Sequence, residues 1–299
     1  MTAIAEERIA VRRAAIARRR RNHMIGRVGF YFLCAVIFAY AIFPFLWALK
    51  SSFTKPAALF QTPVKYLPTP FTFQNYKDVL GAGFFQHALI NSTIVAGSVT
   101  ILCLIFASLA AYSLGRFRFR GRNTAKLVML SMTTFPQIAI LSALYKVIST
   151  LHIYNSLWAL ILSYVVFTLP FTVWVLTSFV QGLPKDLEEA AYVDGASPFQ
   201  TYYRIFVPLL LPGLVTTGLL AFISAWNEFL YAISFEQTPD KWTVPVAIVN
   251  FPGTTSSTFE TPWAQIMAAT VIVTVPLIIL TLVLQRWILA GLTAGAVKG

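Results

Sequence analysis

Apolar and charged positions segregate sharply along this chain. Stretches free of Asp, Glu, Lys and Arg cover 28–49, 79–115, 127–145, 147–184, 205–227 and 261–285. About 20 helical residues cross the roughly 30 Å hydrocarbon core of a bilayer, where ionisable side chains are costly. Each stretch therefore predicts one membrane helix. Asn91-Ser92-Thr93 and His152 to Ser156 read as interfacial, which trims two spans to 88–114 and 156–180. The fifth is expected to start after Pro208 and Pro212 and to run to about Phe235. The predicted fold class is all-α: a polytopic membrane protein with six transmembrane helices.

Composition narrows the function. Of 299 residues, 57% are hydrophobic and 11% charged, less than half the roughly 25% usual for soluble domains. The net charge of +12 would suggest nucleic acid in a soluble protein, but no aromatic interleaving accompanies the arginines and no nucleic-acid partner is expected. Cys34 and Cys103 both lie in apolar runs, and His23, His87 and His152 are scattered. Neither a disulfide framework, a metal site nor an assembled catalytic group is expected. A cleaved leader is the competing reading of the N-terminus. The first apolar stretch, 28–49, is longer than a 7–15-residue h-region and leads into Lys50-Ser51-Ser52 without a small-x-small cleavage site, so it is read as a retained anchor.

Six crossings put both termini on one side, and positive charge selects the cytoplasm. Residues 1–27 carry eight Arg, the 116–126 connection carries Arg116, Arg118, Arg120, Arg122 and Lys126, and Lys185, Arg204, Arg286 and Lys298 share that side. Opposite them lie Lys50, Lys55, Lys65, Lys77, Lys146 and Lys241. The expected organisation is a basic cytoplasmic segment 1–27, a membrane domain 28–290 and a cytoplasmic tail 291–299. The basic segment either binds anionic membrane lipid or serves only to fix orientation. Pro56, Pro63, Pro68 and Pro70 make the outer segment 51–87 an expected extended surface loop, and the outer segment 236–260 ends in a polar tip from Asn250 to Thr258.

The segment 181–212 encodes two short helices. Pro184 suits a first turn, Asp186, Glu188 and Glu189 complement the macrodipole, and Gly195 supplies a left-handed stop. Ser197, Pro198 and Gln200 form an N-cap, first position and capping box for the second helix, closed by Pro208 and Pro212. Ala190 and Ala191 leave a shallow face, and Tyr192, Phe199, Tyr202 and Tyr203 offer interface anchors. The pattern fits a docking element for another protein or a helix lying on lipid.

The residues Glu189-Ala190-Ala191, Asp194-Gly195-Ala196, Phe199, Ile205 and Pro208 resemble the EAA loop of permease subunits of ATP-binding-cassette importers, with Val207 where leucine is common. Ala225-Trp226-Asn227-Glu228-Phe229 and Gln285-Arg286-Trp287 through Gly299 are similar to the carbohydrate branch, of maltose (MalG-like) type. The resemblance extends over most of the chain. It implies a type I importer permease fold in the bacterial cytoplasmic (inner) membrane, partnered by a second permease in a heterodimer, two ATPase subunits and an extracytoplasmic sugar-binding protein or lipoprotein. No cofactor belongs to this chain; ATP and Mg belong to the ATPase. Glu188, Glu189, Ala190, Ala191, Asp194, Gly195, Ala196, Phe199, Ile205 and Pro208 would couple to that ATPase, and Gly295, Ala296, Val297 and Lys298 would touch it. Asn250, Phe251, Pro252, Gly253, Thr254 and Thr255 would reach the binding protein. The implied cargo is a di- or oligosaccharide, with trehalose or maltose first; a glycerol phosphate permease is the alternative.

Within the spans, Thr133, Thr134 and Gln137 beside Pro136 are candidates for sugar hydrogen bonds, and Trp226 for stacking on a sugar ring. Pro136, Pro170 and Pro276 are expected to kink helices and open a polar cavity. Glu228, beside Asn227, lies 16 residues beyond Pro212, about 24 Å along a helix. Lys146 reaches a similar depth, so a Glu228–Lys146 pair or a pathway role are both open. The scarcity of buried ionisable groups tells against an ion-coupled transporter and points to energy entering from outside the membrane domain.

Overall fold

The computed structural model describes residues 2–251 and 261–296, with side chains over 23–251 and 261–287. Helix α1 spans Thr2–Ser52 and is followed by a 3-10 turn at Pro56–Ala58, α2 (Gln74–Gly81) and α3 (Gly83–Arg116). Helices α4 (Arg122–Thr133), α5 (Gln137–Thr150) and α6 (Leu157–Gly182) come next, then α7 (Asp186–Val193) and α8 (Pro198–Thr201). A π-turn at Tyr202–Phe206 leads into α9 (Val207–Leu209), α10 (Leu211–Trp226), α11 (Leu230–Phe235), α12 (Val244–Val249) and α13 (Trp263–Ala296). The architecture is all-α; among the described residues, β-pairing is limited to one antiparallel bridge between Thr54 and Phe71.

Among the described residues, four helices are long and apolar enough to cross a membrane: His23–Ser52, Gly83–Arg116, Leu157–Gly182 and Trp263–Trp287. The count is six when each of two bent pairs is one span, α4 with α5 (98°) and Pro198–Leu209 with α10 (74°). Pro136 has no N–H to continue the helix ladder and crowds the preceding turn, so the third apolar run bends by 98° between α4 and α5 rather than running straight. By contrast, Pro170 and Pro276 lie inside continuous helices. Pro208 likewise withdraws a donor from Arg204, and the ladder widens into the π-turn just upstream.

Helices α3 and α6 form the centre, and α10 packs across both. Small residues set the closest approaches. A Cβ at Gly115 would collide with Val180 of α6, and one at Gly213 would lie 2.9 Å from the Phe179 ring. One buried cluster, including Phe85, Val99, Leu160, Tyr231 and Phe235, fills the half of the bundle towards α11 and α12. A second, including Tyr112, Leu176, Val180, Phe206 and Leu210, fills the half beneath α7. Hydroxyls inside the spans bond back to their own helices, as Thr100 does to the Ala96 carbonyl (2.7 Å) and Thr217 to that of Gly213 (2.8 Å), so few polar groups face the bilayer unsatisfied.

Three segments depart from expectation. The 51–87 segment is not simply extended: α2 docks through buried Asn75, whose Nδ2 donates to the carbonyls of Ser52 (2.8 Å) and Thr54 (2.9 Å). Rings of Phe53, Phe71, Phe73 and Tyr76 pack around that joint. Asn91 and Ser92 are buried inside the protein rather than open to solvent. Asn91 Nδ2 donates to the Asp240 and Trp242 carbonyls (2.9 and 3.0 Å), and Ser92 Oγ accepts from Val244 N (2.8 Å), which fastens the α11–α12 connection onto α3. The fifth run does not continue to Phe235 as one helix, because the chain breaks at Asn227–Phe229 before α11 begins. The predicted turn at His152–Ser156 is present, with His152 and Asn155 at φ 56° and 55°.

Candidate functional site

The 181–212 segment folds as its local signals require. Three acids, Asp186, Glu188 and Glu189, occupy the first turn of α7. At its end Gly195 adopts φ +79°, and the Ala196 N–H reaches back to the Ala191 carbonyl at 2.9 Å, the six-to-one bond of a Schellman stop. Ser197 then accepts from Gln200 N (3.3 Å) while Gln200 Oε1 accepts from Ser197 N (2.8 Å), a complete capping box. The second helix does not close at Pro208; it runs through the π-turn and α9, then bends into α10.

One face of α7 points inward and the other outward. Ala191 is buried and Glu188 half-buried, whereas Glu189, Ala190, Tyr192, Asp194 and Gly195 are exposed. Val193 and Phe199 stand out as the apolar tips of the exposed side, at 87% and 67% exposure. Ala196 and Ile205 are half-buried and Pro208 is exposed. Phe199 stays close to the Tyr202 and Tyr203 rings at 6.3 and 5.5 Å.

What holds the inner face is Arg116, the last residue of α3, which the sequence marked only as a topology charge. Its side chain is 4% exposed and its Nε lies 3.6 Å from Glu188 Oε2. The guanidinium also donates to the carbonyls of Leu183 (2.8 Å) and Pro184 (3.2 Å), just past the end of α6, and sits 4.8 Å over the Phe206 ring. One planar fork thus joins α3, α6, α7 and the π-turn. Tyr192 donates to the other Glu188 oxygen at 3.0 Å, and burial raises the Tyr192 phenol above its ordinary pKa. Behind these groups, Tyr112 packs on Phe206 (4.8 Å) and Ser108 bonds the Tyr202 hydroxyl (2.7 Å). Arg122 caps the end of α3 by donating to the Leu114 and Gly115 carbonyls at 2.8 and 2.9 Å. A cleft of about 450 Å³ opens beside α7, lined partly by Arg118, Lys185 and Glu189.

The residues expected inside the spans separate into two sets. Gln137 and Glu228 meet at a polar cavity of about 60 Å³, together with Tyr164, Thr168, Ser224 and Tyr231. Thr133, Thr134, Trp226 and Asn227 do not line it. Thr133 and Thr134 bond the carbonyls of Leu130 and Ser131, and Asn227 bonds that of Ile223. Trp226 is buried with its ring stacked on Phe222 at 5.6 Å, so it presents no free face to a sugar. Glu228 does not pair with Lys146: among the described residues the ion pairs are Arg116–Glu188 and Asp240–Lys241. The helix break turns its carboxylate onto the N–H groups of Tyr231 and Ala232 instead.

Of the other expected contacts, Asn250 is exposed while Phe251 is buried against the Phe84 ring at 5.3 Å. Pro252, Gly253, Thr254 and Thr255, and Val297 and Lys298, lie outside the described residues. Gly295 and Ala296 form the end of α13. Among the described residues, no three of His, Cys, Asp and Glu gather where they could hold a metal ion.

Residues 103–293 match the family described as binding-protein-dependent transport system inner membrane component. The chain is 39% identical over 267 residues to the trehalose transport system permease protein SugB of Mycobacterium tuberculosis, covering 89% of this chain and 96% of that protein. It is 40% identical over 282 residues to the trehalose/maltose transport system permease protein MalG of Thermococcus litoralis, covering 93% and 99%. In three dimensions it is similar to a chain of a bacterial ABC transporter that imports the acidic polysaccharide alginate, with a TM-score of 0.78, 22% identity and coverage of 90% and 98%.

Proposed function

This chain belongs to the family of binding-protein-dependent transport system inner membrane components, and from that premise we propose that it is one permease subunit of an ATP-driven sugar importer. The cargo is a di- or oligosaccharide, with trehalose or maltose first, as the names of the SugB and MalG relatives suggest. Both termini and the 181–212 segment face the cytoplasm, a reading supported by the distribution of arginine. A second permease completes the pathway as a heterodimer, two ATPase subunits bind and hydrolyse ATP with Mg, and an extracytoplasmic binding protein or lipoprotein delivers the sugar. This subunit makes and breaks no covalent bond.

One observation carries the reading: α7 presents Glu189 and Ala190 outward while its inner side is fixed to the ends of α3 and α6 through Arg116. A helix exposed on one face and anchored on the other passes displacement from a soluble partner to the spans. When the ATPase dimer closes it pushes α7, and the permeases rock between inward- and outward-facing states. The tail Gly295–Lys298 touches the ATPase, and the segment Asn250–Thr255 reaches the binding protein.

The test is reconstitution of this chain with its partner permease, ATPase and binding protein in liposomes, measuring labelled trehalose and maltose uptake. Uptake is expected to need MgATP and the binding protein and to withstand a protonophore. Uptake that survives loss of the ATPase but collapses with the protonophore refutes the proposal in favour of ion coupling.

A further inference from the structure

We propose that the cleft beside α7 binds the phosphate headgroup of an anionic lipid, received by Arg118 and Lys185 at the ends of α3 and α6. Such a site requires a membrane-spanning chain and is independent of the cargo.

Four cations, Arg116, Arg118, Arg122 and Lys185, line this cleft of about 450 Å³ together with two carboxylates, Glu188 and Glu189. The local turn assembles them. Gly121 adopts φ +88°, a conformation glycine takes without strain, and the chain reverses so that α4 opens with Arg122 donating to the Leu114 and Gly115 carbonyls of α3. Lys185 stands on the other side, immediately before α7. Arg116 is committed to Glu188 and to the carbonyls past α6, yet its buried Nε, 3.6 Å from Glu188 Oε2, has no hydrogen-bond partner. Setting Arg116 against Glu188 leaves three cations with Glu189 alone. Arg118 and Lys185 are exposed, and among the described residues neither takes part in an ion pair. The cleft therefore holds uncompensated positive charge.

A phosphodiester suits this surplus. Its two unesterified oxygens accept and carry one negative charge, which matches guanidinium and ammonium groups that only donate. A cleft within the roughly 300–1,000 Å³ range of small-molecule sites takes a whole headgroup rather than a bare ion. Position indicates the source. Arg116 and Gly182 end two membrane-length helices, so the cleft lies at the level of the headgroups that flank the hydrocarbon core. Phe117 and Phe119, on either side of Arg118, are 39% and 48% exposed, and apolar rings beside cations suit the headgroup–acyl boundary. Basic pockets between membrane helices on the cytoplasmic side are where anionic headgroups lodge. A phosphate bridging Arg118 and Lys185 joins the α3–α4 connection to the start of α7, beside the tie that Arg116 makes.

The test is native mass spectrometry of the complete transporter in detergent, titrated with phosphatidylglycerol, phosphatidylcholine or inorganic phosphate. Each cation beside an anionic headgroup is worth about 5-fold in affinity, so Arg118→Gln/Lys185→Gln should weaken this site by about 25-fold. One phosphatidylglycerol fewer is then expected per complex at a concentration that just saturates the wild type, with phosphatidylcholine binding unchanged. The melting temperature without added lipid should not fall, because neither side chain has an ionic partner within the chain. Arg204→Gln/Arg286→Gln removes the same charge from exposed positions outside the cleft, where screening limits its effect, and should keep the wild-type count. The same count in the cleft variant, an equal loss in the control variant, or wild-type binding of inorganic phosphate without preference for phosphatidylglycerol over phosphatidylcholine overturns the proposal. Loss of the ATPase from the cleft variant with lipid binding intact also overturns it and assigns the cleft to the ATPase.

Discussion

Replacing Arg116 by Met deletes the guanidinium that ties α7 to the bundle while keeping much of its apolar stem. Glu188, whose side chain is 14% exposed, then keeps its Tyr192 donor but loses its counter-charge. Truncating one partner of a buried ion pair costs about 3–5 kcal/mol. Two carbonyls also lose a charged donor, each worth about 1.5–3 kcal/mol, but Pro184 is exposed and water recovers part of that. A net weakening of about 3 kcal/mol is therefore expected, which shifts the ratio of anchored to detached α7 by roughly 100-fold. The assays are thermal unfolding of the assembled transporter, and sugar uptake together with binding-protein-stimulated ATP turnover in liposomes. Arg116→Met should lower uptake by about 10-fold or more, and Arg116→Lys should recover only part, because a point charge cannot reach two carbonyls and a carboxylate in one plane. The Arg116→Met/Glu188→Met double variant should be less damaged than the sum of the singles. Wild-type uptake in Arg116→Met, or strict additivity in the cycle, refutes the reasoning.

Gly195→Ala forces a Cβ into a left-handed backbone at φ +79°; the cost is about 1 kcal/mol, and Gly195→Pro, which cannot reach that φ at all, should abolish stimulated turnover of the assembled transporter. Gly115→Ala drives a methyl into Val180 and should destabilise by about 1–3 kcal/mol, seen as a lower melting temperature. Burial pushes the Glu236 carboxyl up to about 8, against bonds from Thr243 that pull it down. The folded chain therefore holds an extra proton between about pH 4.5 and 8 and loses stability as pH rises through that window. Glu236→Gln should raise the melting temperature above that of wild type at pH 8.5 and leave it unchanged at pH 4; equal effects at both pH values contradict this.

Features carried by near neighbours were legible in the sequence. The Gly195 stop and the Ser197–Gln200 box depend on residues three to five apart, and both form as their residue types require. Features carried by distant partners were not. Arg116 finds Glu188 across three intervening helices, and Asn75 finds carbonyls more than 20 residues back, so neither pairing leaves a periodic trace. The break at Asn227–Phe229 lies in a run that the sequence reading carried on to Phe235 as one helix. Depth along a helix suggested Lys146 for Glu228. Azimuth and the broken backbone decided otherwise, because a carboxylate beside two free N–H groups is satisfied locally. Pro136 announced a kink, and the structure gives it a bend of 98°.

The outward face of α7 should be the surface that meets the ATPase. A photo-reactive benzophenone side chain at Ala190, in the complete reconstituted transporter, tests it most directly. A cross-link to the ATPase subunit is expected, present with and without nucleotide and lost in Arg116→Met. Cross-linking to lipid or to the partner permease alone, with ATP-driven uptake intact, would contradict it.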